Sequence, residues 1–259
     1  IEALAVEAHA RGYGVVLGHI QGDGGDGQAA RAVLTPGHCD AVVVLGEIED
    51  QPALQEALTN VGVPVVAAWQ GDGLVHFPTV DVDDRAGIAI GMRHLLELGH
   101  RRIGFVGARL PGDNPTREQS YIDFMEERVE GVPQGYVQRC ENTLVGGELA
   151  LEALLRLSMV PTAVVCSTDV AAVGVLHGAF SRGVTVPDGL SVVGYDDLMF
   201  AAFTNPALTT LRMPTAEIVS EAVQAATELS KDPSLPREPR RSTHRPSLVV
   251  RASTAPPAS

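Results

Sequence analysis

The chain contains few of the residues that define several common protein classes. It has 3 cysteines in 259 residues, and they lie far apart, without the pairing of a disulfide framework or the spacing of a zinc site. An odd, unpaired set favours a reducing compartment, so we expect a cytoplasmic protein. No apolar run is long enough to cross a bilayer, so we expect no membrane contact. A signal peptide is also absent, but this carries little weight because the chain begins at Ile1 rather than Met.

Positive charge is scarce as well. The sequence holds 19 Lys and Arg against 32 Asp and Glu, a net charge of −13. Such a field repels a phosphate backbone, and no basic cluster stands out before residues 237–245. If the protein binds DNA, another segment must do so. A small neutral or cationic ligand matches the charge of these residues better.

Motifs of catalysis and metal binding are missing. The sequence contains no G-x-S-x-G elbow, no phosphate-binding G-x-x-x-x-G-K-[ST] loop, and no G-x-G-x-x-G between a strand and a helix. Its 8 histidines form no H-x-x-x-H pattern. Asp81, Asp83 and Asp84 alternate along a strand and then enter a helix, so they cannot converge as a calcium loop does. We therefore predict neither an enzyme nor a metal or cofactor site.

What the sequence does contain is a regular alternation of helical periodicity with short, continuous apolar runs. Runs of this kind are typical of strands covered on both faces, and the alternation predicts an α/β fold with parallel sheets. The chain opens with a helix where a doubly wound domain opens with a strand, so we expect a first strand to be missing from the sequence. Strands are predicted at 13–18, 41–45, 64–69, 78–82, 102–106, 137–140, 163–166, 190–194 and 247–251, and helices at 1–11, 28–34, 51–60, 85–98, 116–128, 146–157, 169–182 and 215–229.

Polar residues follow two of the predicted strands in the second half of the chain. Ser167, Thr168 and Asp169 come after one strand, and Asp196 and Asp197 come after the next. In open parallel sheets, ligands bind in the crevice beyond the carboxyl ends of the strands. These five side chains are therefore predicted to face one cleft.

Four segments resemble the lactose-repressor (LacI) family of bacterial transcription regulators. They read TVDVDDRAGIAIGMRHLLELGHRRIGFVG, VPDGLSVVGYDD, NPALTTLRMP and RPSLVVRAST, in the order the family has them. The resemblance covers essentially the whole chain and implies two Rossmann-like subdomains joined by three crossings, as in periplasmic sugar-binding proteins. One subdomain is expected at 1–107 plus 213–238 and the other at 108–212 plus 239–252, followed by a flexible tail at 253–259.

The same resemblance implies a function. A small effector, a sugar or sugar derivative, is expected to bind between the subdomains of a homodimer, which contacts operator DNA through an amino-terminal helix-turn-helix that this sequence lacks. The alternative is a periplasmic or extracellular sugar-binding protein of a transport system, which would need a signal peptide upstream instead. The VPDGLSVVGYDD and GHRRIGFVG segments favour the regulator.

Two candidate ligand contacts come from the strongest motifs. Arg117 lies in R-E-Q-S-Y, which resembles the family's R-x-x-G-[YF] segment with Ser120 in the glycine place. The family's arginine contacts the effector, and a guanidinium can fork onto vicinal hydroxyls or a carboxylate. Asp196 matches the aspartate that accepts hydrogen bonds from sugar or ribose hydroxyls, while Asp197 is expected to be structural. The alternatives are a solvated first-turn arginine and a pair of turn-capping or metal-binding carboxylates.

Four further residues complete the predicted site. Thr168 stands where sugar-binding members often carry Asn, and Asn142 stands where they often carry an aromatic contact. Trp69, the only tryptophan, follows a strand and could stack on a pyranose or a base, or could equally be a core aromatic. Asp113, in the loop before Arg117, is either a contact or a turn residue. Asp169 is expected to cap its helix.

Overall fold

Two α/β units make up the fold. The computed structural model describes residues 1–18, 37–46, 48, 51–70, 76–108, 115–232, 234–235 and 238–258. Inter-residue contacts separate Ile1–Val82 and Pro214–His244 from Asp83–Met213 and Arg245–Ser259. The chain therefore passes between the units three times. The α/β fold predicted from the sequence is confirmed.

The helices and strands alternate along most of the described chain. In chain order they are α1 (Glu2–Ala10), β1 (Val42–Leu45), α2 (Pro52–Thr59), β2 (Val65–Ala68), β3 (Thr79–Val82), α3 (Asp84–Glu97), β4 (Ile103–Ala108), α4 (Pro115–Arg128), β5 (Val137–Cys140), α5 (Leu144–Leu155), β6 (Ala163–Cys166), α6 (Asp169–Ser181), β7 (Ser191–Asp196), a 3-10 helix (Met199–Phe203), β8 (Thr209–Arg212), α7 (Thr215–Lys231), β9 (Arg241–His244) and β10 (Ser247–Val249).

The first unit is built on a four-stranded parallel sheet in the order β1-β2-β3-β9. Alternate residues of β2 point to opposite faces. Val66 and Ala68 pack with α7, whereas Val65 packs with α2. The sheet is therefore covered on both sides, which explains why β2 reads as a continuous apolar run.

The second unit is built on a six-stranded sheet in the order β10-β8-β7-β6-β4-β5, parallel except for β10. One face packs against α5 and α6 through side chains such as Leu151 and Val175. The other packs against α3 and α4 through side chains such as Met92 and Tyr121. The amino ends of α4, α5 and α6 lie near the carboxyl ends of the strands, because each of these helices follows a strand of this sheet.

The boundary between the units differs from the one drawn at residue 107 from the sequence. The contacts place it between Val82 and Asp83, so α3 and β4 belong to the second unit. Strand β4 forms ladders with β5 and β6 in the larger sheet. The alternation of helix and strand runs on unbroken through this point, and local pattern does not reveal which sheet a strand joins.

Two predicted features at the edges of the first unit are wrong. Residues 13–18 are not a strand, and Val16 is 80% exposed, since no ladder partner lies beside it among the described residues. Residues 239–244 are expected from the sequence in the second subdomain, yet Arg241–His244 form β9 and pair with β3 of the first unit. This strand is polar and lies at the sheet edge, so it carries no apolar signal. The predicted helix at 28–34 falls outside the described residues.

The carboxyl-terminal segment, predicted to be a flexible tail, is seated on the second unit. Ser253 is fully buried, and its hydroxyl donates to the Val192 carbonyl at 2.6 Å. The Ala255 carbonyl lies 2.8 Å from Nε2 of His100, a buried histidine. Side-chain hydrogen bonds hold this segment, and its Ser, Thr, Ala and Pro composition gave no sign of them.

Candidate functional site

Polar side chains converge at the carboxyl edge of the second unit's sheet. Arg117 comes from the first turn of α4, Ser167 and Thr168 follow β6, and Asp196 ends β7. Asp84 is the first residue of α3. The carboxyl ends of parallel strands meet at one edge, so residues distant in sequence come together there.

Arg117 is held on three sides. Its Nε donates to Oδ1 of Asp84 at 2.9 Å, its Nη1 donates to the Ser167 carbonyl at 2.7 Å, and its guanidinium carbon lies 3.7 Å from the ring centroid of Tyr195. Only 12% of the side chain is exposed. Burial lowers the pKa of Arg117, but Asp84, Tyr195 and Asp196 outweigh it and raise that pKa above its usual value. The solvated helix-face arginine considered from the sequence is therefore excluded.

Asp196 lies on the other side of the guanidinium. Its Oδ1 is 3.7 Å from Nη1 of Arg117, longer than a hydrogen bond. Burial raises the pKa of Asp196 to about 7, against the opposing effect of Arg117 and with a further contribution from Asp169. Asp196 therefore has a pKa near neutral pH, and it makes no direct hydrogen bond to the neighbouring guanidinium of Arg117.

Asp84 and Tyr195 were not recognised as site residues in the sequence. Besides the calcium reading rejected above, the sequence allows either Asp83 or Asp84 to cap the helix that follows. In the structure Asp83 is the cap, since its carboxylate accepts the Ala86 N–H at 2.9 Å. Asp84 is left to accept Arg117 Nε and the Tyr195 hydroxyl, the latter at 2.5 Å. The signal available in the sequence was the doubled aspartate, because one helix start needs only one cap.

Thr168 and Asn142 bind each other. The Thr168 hydroxyl donates to Oδ1 of Asn142 at 2.7 Å and accepts the Ala171 N–H at 3.2 Å. Thr168 is therefore the helix cap, and the assignment of that role to Asp169 is wrong. Asp169 is fully buried and accepts the Leu198 N–H at 2.7 Å and the Thr210 hydroxyl at 2.5 Å.

Asp197 is structural, as its position after Asp196 suggested. Its two carboxylate oxygens accept from Nε of Arg212 and Nη2 of Arg251, each at 2.6 Å. The two arginines come from β8 and from the segment after β10. Asp197 therefore fixes the turn that presents Asp196.

In the first unit, β2 ends in Trp69 and Gln70. The indole of Trp69 is partly buried against side chains of α1 and α7, and its Nε1 is buried without a hydrogen-bond partner among the described residues. The Gln70 amide donates to the Ala68 carbonyl at 3.1 Å and accepts the Ile48 N–H at 3.2 Å. Asp113, the remaining candidate, lies outside the described residues.

Backbone strain concentrates at these strand ends. Among the described residues that are not glycine, positive φ angles occur at Trp69 (57°), Asp196 (118°) and Asp197 (58°), and also at Glu130 (77°). Such conformations cost about 1–3 kcal/mol each and cluster at ligand sites. Three of the four thus mark the strand ends from which the candidate residues project.

Two other kinds of site receive no support from the described part of the chain. Its His, Cys, Asp and Glu side chains form no group of three or more that could hold a metal ion. Its helices include none that is both long and apolar enough to span a membrane.

Comparison with known proteins identifies the fold and the family. The family model of a periplasmic binding protein-like domain matches residues 92–254. Among solved structures, a LacI family transcriptional regulator from Mycobacterium smegmatis superposes with a TM-score of 0.83 at 27% identity, over 99% of this chain and 93% of its own. A complex of the transcriptional regulator CelR with cellobiose superposes with a TM-score of 0.84 at 27% identity, over 97% of this chain and 76% of its own.

Curated relatives are transcriptional regulators. An uncharacterized HTH-type regulator from the aml 5' region of Streptomyces limosus is 33% identical over 98% of this chain and 74% of its own length. MalR of Streptomyces coelicolor is 35% identical over 77% of this chain, which spans 58% of MalR. The repressor CytR of Escherichia coli is 30% identical over 86% of this chain and 65% of its own length. The chain thus belongs to the LacI family of transcriptional regulators, and the described residues carry the family's periplasmic-binding-protein-like ligand-binding domain.

Proposed function

We propose that this chain is the effector-binding and dimerisation part of a ligand-responsive, DNA-binding regulator, and that its effector is a small sugar or sugar-like molecule. The observation that carries the proposal is the pairing of Arg117 with Asp196 at the carboxyl edge of the second unit. The Arg117 guanidinium is a donor and the Asp196 carboxylate is an acceptor. At 3.7 Å they make no hydrogen bond to each other, so both can bind a ligand.

The hydrogen-bonding capacity left at this pair suits vicinal hydroxyl groups. Nη2 of Arg117 makes no hydrogen bond to any of the described residues, since Nε and Nη1 take the contacts to Asp84 and Ser167. Asp196 is a carboxyl group with acceptor oxygens. A diol that accepts from the guanidinium through one hydroxyl and donates to the carboxylate through the next would satisfy both.

Asn142 and Trp69 are the secondary contacts of the proposal. Asn142 uses its Oδ1 to accept from Thr168, which leaves its NH2 group as a donor toward a ligand. The Thr168 hydroxyl is engaged both as donor and as acceptor, so we propose for it a supporting role. Trp69 brings a buried N–H without an acceptor among the described residues, and an aromatic face of the kind on which sugar rings stack.

A homodimer is the second part of the proposal. The 3-10 helix after β7 exposes Met199 by 86% and Phe203 by 83%. Large apolar side chains exposed to this degree on neighbouring residues are typical of protein interfaces. We expect the wild-type chain to sediment as a dimer and the double variant Met199→Glu, Phe203→Glu to sediment as a folded monomer with an unchanged far-ultraviolet circular dichroism spectrum. Monomeric wild type would contradict this assignment.

The response to effector follows from linkage. An effector shifts the regulator only by the difference of its affinities for two states of the dimer. DNA contact is assigned to a segment outside this sequence, because the chain has a net charge of −13 and spans 58–74% of the curated relatives compared above. A partner of this kind would place the protein in the cytoplasm.

The test is a thermal-shift screen of monosaccharides, disaccharides and nucleosides with wild type, Arg117→Ala and Asp196→Ala. A ligand at about 100 times its dissociation constant adds about 2.7 kcal/mol of apparent stability. We expect a stabilising sugar whose effect disappears in both variants. A sugar that stabilises wild type and both variants equally would place the binding site elsewhere, and nucleosides as the only ligands would overturn the sugar assignment.

A further inference from the structure

Asp84 has a role that helix capping does not explain. The cap of α3 is Asp83, so Asp84 at the next position contributes nothing to satisfying the Ala86 N–H. Its side chain is 2% exposed and turns toward Arg117 and Tyr195 instead. A buried carboxylate needs such partners, and here Nε of Arg117 and the Tyr195 hydroxyl donate to the same oxygen.

The contacts of Asp84 fix the position of the guanidinium. Nε of Arg117 and the Tyr195 hydroxyl both donate to Oδ1 of Asp84, while the Tyr195 ring lies under the guanidinium at 3.7 Å. The Ser167 carbonyl takes Nη1 at 2.7 Å. These contacts leave Nη2 as the part of the guanidinium that can meet a ligand.

A second consequence of these contacts is the net charge of the cluster formed by Arg117, Asp84 and Asp196. One guanidinium lies within 4 Å of two carboxyl groups, Asp84 at 2.9 Å and Asp196 at 3.7 Å. With both ionised the cluster carries 1 − 2 = −1, and with Asp196 protonated it is neutral. In neither state do these three described side chains carry a net positive charge for a phosphate or a carboxylate to meet.

Near this edge, four other arginines among the described residues of this unit also lie within 4 Å of a carboxylate. Arg212 and Arg251 bind Asp197, Arg245 lies 3.6 Å from Asp83, and Arg85 lies 3.7 Å from Asp123. An anionic ligand would therefore lose its hydration at a buried site that offers it no unpaired cation among these residues.

We propose that Asp84 is a specificity-determining residue, which neutralises Arg117 so that this edge selects an uncharged polyol and rejects anionic analogues such as sugar phosphates and uronates. The inference rests on the proposed function and narrows its effector class. Asp84 acts through Arg117 rather than by touching the ligand, so it is a positioning residue.

The experiment measures a ratio of affinities by calorimetry. The probes are matched pairs, glucose with glucuronate and, for each disaccharide bound in the screen, that sugar with its 6-phosphate. We expect wild type to bind the uncharged member at least tenfold more tightly. We expect Asp84→Asn, which removes the charge and retains an acceptor of the same size, to shrink that ratio at least tenfold by improving the anionic member.

Two control variants separate this role from a structural one. Glu126→Gln makes the same charge change on an exposed residue near the end of α4 and should leave the ratio unchanged. Tyr195→Phe removes a hydrogen bond of Asp84 but keeps its charge, so it should weaken both members of a pair alike. If Asp84→Asn does not fold, Asp196→Asn removes a charge from the other side of Arg117, and the charge argument then requires tighter absolute binding of the anionic member, not merely weaker binding of the uncharged one.

The outcomes distinguish the inference from the function beneath it. Equal or tighter binding of the anionic member by wild type would overturn the inference and leave the sugar-binding function standing. A ratio unchanged by Asp84→Asn would show that Asp84 only supports the fold. Failure of wild type to bind any sugar, charged or not, would overturn the proposed function itself.

Discussion

In the second unit, β6 and β7 lead into Ser167 and Asp196 beside a buried arginine, whereas in the first unit β2 leads into Trp69 and Gln70. Both units are parallel α/β sheets covered by helices, so the difference lies in the residues that follow the strands. The second unit gathers ionised groups there, and the first gathers an indole and an amide. Under the proposed function, the charged edge would orient hydroxyls and the uncharged edge would provide apolar contact.

Ionisable groups show the same contrast. The carboxyl groups whose pKa is raised to about 6 and about 7, Asp169 and Asp196, both lie in the second unit, where burial dominates. In the first unit, burial raises the pKa of Glu221, but hydrogen bonds from Ser242 and His244 and the charges of His244 and Arg240 outweigh it and lower that pKa. At neutral pH, burial of Asp169 and Asp196 therefore costs stability, whereas Glu221 contributes to it.

Among the variants that test this comparison, Arg117→Ala is expected to cause the largest loss of stability. Removing the guanidinium leaves Asp84 buried without its cation, which costs roughly 3–5 kcal/mol for buried pairs. The matched control is Arg139→Ala, since Arg139 is 56% exposed and pairs with Glu118 at the surface. That change should cost less than about 1 kcal/mol. Urea unfolding measures both, and equal losses would contradict the distinction between a buried and a surface pair.

The next effect is a pH dependence carried by Asp169. Its pKa is raised from 3.8 to about 6 in the folded state, so its contribution to stability is complete below pH 3.8 and is lost as pH rises through 6. Two pKa units correspond to about 3 kcal/mol. Asp169→Asn should remove this decline from the pH profile of the free energy of unfolding.

Glu221→Gln, in the first unit, should change the pH dependence of the free energy of unfolding in the opposite direction. Because the folded pKa of Glu221 is lowered, its contribution is present above 4.5 and is lost as pH falls through the folded value. The variant should therefore lose stability relative to wild type at neutral pH and approach it in acid. Parallel pH profiles for the two variants would contradict the contrast between the units.

The smallest effect is expected from Trp69→Phe. The change removes apolar area but also removes a buried N–H that has no partner among the described residues, and such a group costs about 1–3 kcal/mol. The loss of apolar burial and the removal of this N–H should nearly cancel, so the free energy of unfolding should change by less than about 1 kcal/mol. Tyr13→Phe is the control, because its hydroxyl lies 3.1 Å from Ser230 and its removal should cost about 0.5–1.5 kcal/mol. A larger loss at Trp69 than at Tyr13 would identify Trp69 as a core residue.

The sequence predicted best what is decided locally. Strands such as β2 and β6 are buried on both faces, so their apolar runs were sufficient to locate them. Strand β9 is polar because it lies at an edge, and the segment around Ser253 is held by side-chain hydrogen bonds, so neither carried a pattern. Both depend on partners far away in the sequence.

The site was predictable to the extent that a motif marked it. Arg117 and Asp196 stand in segments that resemble the LacI family, and the structure brings them to within 3.7 Å. Asp84 was missed because its role is set by Tyr195, which lies 111 residues away. The use of Thr168 rather than Asp169 as the cap also depended on a distant partner, since Thr210 and Leu198 occupy the Asp169 carboxylate.

The most direct test of the account uses the single tryptophan as a reporter. Emission of Trp69, in the first unit, is followed while an uncharged sugar from the screen is titrated into wild type and into Asp196→Asn, altered only in the second unit. The account predicts a saturable change in wild type and a midpoint at least tenfold higher in the variant. The same midpoint in both proteins would contradict binding at the carboxyl edge of the second unit.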